Sequence, residues 1–146
     1  MLIATGKPAQ LAGHLGCALD NGVRPSEASG LLAHLALYCG WPSAVSALEV
    51  YEQVYRARRI DTAALPGGVA RLPVSSDMAQ VTKLNNGLSA VAPKFVQLTN
   101  DVVFGDLWRR SDLTVRDRSL VTLVALAAMD EDDEFDVYVR RAIERT

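Results

Sequence analysis

The stretch Thr114-Val115-Arg116-Asp117-Arg118-Ser119-Leu120-Val121-Thr122-Leu123-Val124-Ala125-Leu126-Ala127-Ala128-Met129 decides the fold class. Thr114 and Asp117 make a T-x-x-D capping pattern, in which the threonine hydroxyl meets a free N–H of the first turn. The apolar run over 120–129 follows at once, with few polar residues on any side. A helix of that kind belongs in the middle of a bundle, so it is expected to be the most buried element. It is about half the length of a membrane span.

Working outward, the same helical period recurs. Leu11, His14, Leu15, Ala18 and Leu19 share one face, Pro8 suits a first turn, and Gly22 suits the residue after a helix end. This predicts a helix over 8–20. Pro25 opens a second helix, which Gly40 ends; Leu31, Leu32, Leu35, Tyr38 and Cys39 form its apolar face. Pro42 begins a third, with Val45, Leu48, Tyr51, Val54 and Tyr55 expected inward and arginines at its negative end. Residues 61–76 lose periodicity and carry Pro66-Gly67-Gly68 and Pro73, a connector signature. A short helix is expected from Asp77 to the Asn85-Asn86-Gly87 stop. Pro93 starts another, with Phe95, Leu98, Val102 and Val103 as core residues. The last helix, about 131–145, has acids first and arginines last, with Phe135, Val139, Ala142 and Ile143 as its buried stripe. Only 69–74 could pair as a strand, and Pro73 argues against it. The expected class is all-α, a bundle of about six helices in one domain over 1–146.

Composition excludes several functions. Fifteen basic residues face seventeen acidic ones, for a net charge of −2, which is not a nucleic-acid binder's balance. Nearly half the residues are hydrophobic, so the chain is not of a disordered type. No targeting signal or membrane span is expected, and the reading is a soluble cytoplasmic protein. Cys17 and Cys39 form neither a C-x-x-C pair nor a metal-ligand spacing, and are expected as buried, reduced thiols. No metal site is expected.

Two groups of motifs carry a resemblance. The first runs from Gly13-His14-Leu15 through Asp20-Asn21-Gly22-Val23 to Tyr38-Cys39-Gly40-Trp41-Pro42-Ser43-Ala44. The second is Phe104-Gly105-Asp106-Leu107-Trp108 with Arg116-Asp117-Arg118-Ser119-Leu120-Val121-Thr122. Together they resemble the carboxymuconolactone decarboxylase family, within the alkylhydroperoxidase-like superfamily. The resemblance implies that 1–60 corresponds to the family's C-terminal half and 92–146 to its N-terminal half, joined by the 61–91 connector. That order is reversed relative to a single-domain member, as in a circular permutant or the centre of a tandem protein. The pattern of 134–143 repeats that of 10–19, with Tyr138 at the position of His14.

The resemblance implies decarboxylation or proton transfer on a small acidic lactone, with no cofactor, as in the catabolism of aromatic compounds. His14 would be the catalytic base or acid, with Asp117 as a second catalytic group. Arg116 or Arg118 would bind the substrate carboxylate, and Tyr38 and Trp41 would line the pocket. Each has a plainer reading beside it: His14 as a core histidine, Asp117 as a capping residue, the arginines as solvated, Tyr38 and Trp41 as packing. His34 receives no role. The superfamily's thiol peroxidase branch is disfavoured, because its cysteine pair would fall near 129–132, where no cysteine stands. A degenerate member serving assembly or binding is the alternative. The resemblance also implies a homo-oligomer, dimer to hexamer.

Overall fold

The computed structural model describes residues 1–73 and 87–143. Among them lie six α-helices: α1 (Pro8–Asp20), α2 (Pro25–Tyr38), α3 (Trp41–Ala57), α4 (Pro93–Leu98), α5 (Val115–Ala128) and α6 (Asp132–Ile143). The class is all-α, as expected. The helix anticipated between Asp77 and Gly87 lies almost wholly outside the described residues. Prolines sit in the first turn of α1 to α4, where a missing N–H costs nothing. Gly40, at φ +85°, makes the turn from α2 into α3 that L residues avoid.

The chain forms two compact units, 1–67 with 112–146, and 68–111. In the first, α1 and α2 both pack on α3, α2 packs on α5, and α5 packs on α6. Leu11 and Leu15 of α1, Leu32 and Leu35 of α2, Tyr51 and Tyr55 of α3, and Ala125 of α5 build one core. Arg58 clamps the far ends of α1 and α3. Its guanidinium donates to both Asp20 carboxylate oxygens, at 2.7 and 2.9 Å, and to the Gly16 carbonyl at 3.1 Å. Val45 and Leu48 correct the expectation for α3. They are exposed, because its buried face is set by Ala44, Ala47, Tyr51 and Tyr55.

The second unit holds α4, a π-helical turn over Thr99–Phe104 and a 3₁₀ turn over Leu107–Arg109. Its buried residues include Val96, Phe104, Leu107 and Trp108, whereas Phe95, Leu98 and Val102 are exposed. Val102 falls inside the wider π turn and so off the 3.6-residue spacing, whereas Phe95 and Leu98 precede that turn in α4, whose buried residue is Val96. Gly105 is forced here: a Cβ would stand 2.5 Å from the Asp101 carbonyl oxygen. The candidate strand reduces to an isolated bridge between Arg71 and Arg110.

The capping pattern before α5 forms. Thr114 Oγ1 accepts the Asp117 N–H at 3.0 Å and donates to the Asp117 carboxylate at 2.7 Å. The burial of α5 differs from expectation. Ala125 and Leu126 are inside, but so are Arg118, Ser119 and Thr122, while Leu120 is 53% exposed and Val124 is exposed too. Positions 118, 122, 125 and 126 form the inward stripe, and 120 and 124 lie on the other side. In α6, Phe135, Val139 and Ala142 are half-buried and Ile143 is exposed.

Candidate functional site

An open cavity of about 590 Å³ lies among the N-terminal segment, α1, α2 and α5. That is a size typical of small-molecule sites. Its walls include Leu11, Leu15, Leu31, Leu35, Val121 and Val124. Gln10 and His14, one turn apart on α1, bring polar groups to it, and both are exposed. His14 therefore stands on an accessible rim and not in the core. The residues of α5 that share its cavity are Leu120, Val121 and Val124, beyond the start of that helix.

The other expected site residues lie elsewhere. Arg116 is solvated, 3.5 Å from the Asp117 carboxylate, and Asp117 is half-buried as the capping partner of Thr114. Tyr38 is half-buried; its hydroxyl lies 2.6 Å from that of Tyr138, and its ring stacks on His34. Trp41 is exposed and lines a second cavity of about 580 Å³ between α2 and α3, with Leu48, Tyr51 and Tyr55. Of the six, only His14 lines the first cavity.

Arg118 belongs to a buried cluster that sequence reasoning missed. Its guanidinium donates to the Asp112 carboxylate at 2.8 Å, and the two side chains are 1% and 2% exposed. It also lies 3.3 Å from His34 Nδ1. His34 Nε2 lies 2.7 Å from Thr122 Oγ1, which itself donates to the Arg118 carbonyl at 2.9 Å. That last bond uses the threonine's one proton, so the oxygen must accept from the ring. The pattern assigns His34 the neutral Nε2–H tautomer, with Nδ1 accepting from Arg118. Burial, then the neighbouring guanidinium, holds the His34 pKa down to about 3, against a smaller opposing pull from Asp112. Gly30 admits the carboxylate: a Cβ there would stand 2.7 Å from Asp112 Cγ. Enclosed in this way, Arg118 ties α5 to α2. A faint signal was present, since His34 and Thr122 are polar residues inside apolar helices, a pattern that calls for buried partners.

Cys17 is exposed, contrary to expectation, and Cys39 is half-buried with its thiol pushed up by burial. Among the described residues no group of His, Cys, Asp or Glu could hold a metal ion. No described helix is long and apolar enough to cross a membrane.

Comparison with known proteins agrees with the motifs. 4-Carboxymuconolactone decarboxylase of Acinetobacter baylyi is 34% identical over 56 residues, which are 38% of this chain and 42% of that protein. The match thus spans less than half of that relative's length. The family model for carboxymuconolactone decarboxylases matches residues 1–53 and 93–146, well over half of the chain. The chain belongs to the carboxymuconolactone decarboxylase family.

Proposed function

We propose that the protein is a decarboxylase-type lyase that moves a proton on a small lactone-type acid, with His14 as the proton-carrying group. The observation that carries this reading is the placing of His14 on the rim of an apolar cavity of small-molecule size. In such a reaction the bond between carbon and the carboxylate breaks and carbon dioxide leaves. The electron pair passes into a conjugated carbonyl as an enolate, and the imidazolium of His14 returns a proton to carbon. The leucine and valine walls offer apolar surface to the carbon skeleton. The solvated Arg116 remains available to draw an anion toward the protein, whereas Arg118 is committed to Asp112. The test is loss of γ-carboxymuconolactone absorbance. Wild type should turn the lactone over, and His14→Ala should lower kcat by about 10²–10⁴. Equal rates in the two would overturn the reading.

A second reading, assembly without catalysis, is favoured by the exposed row Trp41, Val45 and Leu48 on α3. It predicts no turnover by wild type and a homo-oligomer, dimer to hexamer, by light scattering.

A further inference from the structure

Trp41, Val45, Leu48 and Glu52 follow one another at helical spacing along α3, and all line the cavity of about 580 Å³ between α3 and α2. Eleven positions separate Trp41 from Glu52, so at 1.5 Å per residue the ends of this row lie about 16 Å apart. The cavity is thus a groove, and its two ends differ. At one end the Trp41 ring, 68% exposed, stands at the rim, with Val45 and Leu48 exposed beside it. At the other stand Glu52, Ser29, Tyr55 and Thr62. Tyr55 donates to the Pro25 carbonyl at 2.8 Å, and Ser29 Oγ lies 3.3 Å from the Tyr55 hydroxyl. With the tyrosine proton spent, Ser29 is the donor of that pair, and its oxygen keeps lone pairs for a further donor. Glu52 is an acceptor as well. One of its oxygens takes a bond from Arg56, and a carboxylate has room for more. That pair is solvent-exposed, so it holds weakly. Among the described residues Glu52 carries the one full charge on the lining.

We infer that this groove binds a linear alkylamine, a small soluble amphiphile with its ammonium head between Glu52 and Ser29 and its apolar tail running toward Trp41. The polar end offers acceptors and a negative charge, and an ammonium brings three donors and a positive one. A carboxylate or phosphate head would meet Glu52 as a like charge, with no cation among the described lining residues to hold it. Leu32, Ala36, Ala44 and Leu48 give the tail apolar walls along the groove. Tyr51 is the one described residue that lines both this groove and the His14 cavity. The amine site therefore stands whether or not His14 carries a proton to a lactone.

Three probes test this on the full chain, each kept below its micelle concentration: octylammonium, octanoate and butylammonium. Binding is read by methyl NMR of Leu65, which lines the polar end, and by tryptophan emission. Trp108 is 2% exposed and gives a constant background, so a change in emission reports Trp41. Octylammonium should shift the Leu65 signals and move the Trp41 emission to the blue. Butylammonium, too short to span the groove, should shift Leu65 and leave the emission in place. Wild type should bind octylammonium about fivefold more tightly than octanoate, the upper worth of an exposed ion pair, and the gap should narrow with added salt. Glu52→Gln changes an exposed side chain, so it should fold as wild type does and bind the two octyl probes to within about twofold of each other. Arg56→Ala, which removes the competing guanidinium, should tighten octylammonium binding. His14→Ala should bind octylammonium as wild type does, so a failed lactone assay leaves this inference standing. A Glu52→Gln protein that keeps the full preference, or octanoate bound as tightly as octylammonium by wild type, would overturn it. So would Leu65 shifts with no change in Trp41 emission, or no saturable binding at millimolar probe. Emission that follows protein concentration and ignores the probe would place a second copy of the chain in the groove and overturn it too.

Discussion

Acid should weaken this fold through His34, and the size of the effect follows from the buried cluster. The ring is fully buried, neutral and fixed between Arg118 and Thr122, with its pKa held at about 3 against 6.5 in an unfolded chain. A folded pKa below the unfolded one means that the unfolded chain binds the extra proton as pH falls. The stability is therefore present above pH 6.5 and drains away toward pH 3, by about 1.4 kcal/mol per unit. From pH 7 to pH 4.5 the loss from this one residue comes to about 2.5 kcal/mol. The control is His34→Gln, whose amide can still donate toward Thr122 and accept from Arg118 but does not titrate. Urea unfolding followed by circular dichroism, at one protein concentration, gives the stability of both proteins across that range. Carboxylates common to the two cancel in the difference. The wild-type advantage over His34→Gln should shrink by about 2.5 kcal/mol between pH 7 and 4.5. A gap constant to within about 0.5 kcal/mol would refute the neutral, buried assignment.

Four further substitutions probe the same core and its surroundings. Asp112→Ala leaves the Arg118 guanidinium buried without its carboxylate and should cost about 3–5 kcal/mol in urea unfolding; a loss below about 1 kcal/mol would show that the ion pair holds little together. Gly30→Ala drives a methyl against that carboxylate and should cost about 1–3 kcal/mol, whereas Gly13→Ala, with nothing within 4 Å, should add about 0.5–1 kcal/mol; equal effects would remove close packing as the reason for Gly30. Thr114→Ala deletes the cap of α5 and should lower stability by about 1 kcal/mol, and an unchanged thermal midpoint would count against the cap.

Local chemistry was legible in the residues themselves. Pro8 and Gly22 bracket α1, Pro25 and Gly40 bracket α2, and Thr114 with Asp117 starts α5, because caps and fixed φ angles act within a few residues. The order of motifs around His14 and Trp41, and around Asp106 and Arg118, carried the family. What the sequence could not rank was which face of each helix goes inside. On α5 hydropathy points Leu120 and Val124 inward, yet Arg118 and Thr122 are buried, because His34 and Asp112, distant along the chain or off the helix, satisfy their polar groups. A polar side chain is cheap to bury only when its partners are already in place, and those partners come together only in the folded bundle. The same holds for the site. His14 was visible as a motif, but its cavity is assembled from α1, α2, α5 and the N-terminal segment. Tyr51, on α3, joins it through packing that no spacing along one helix encodes.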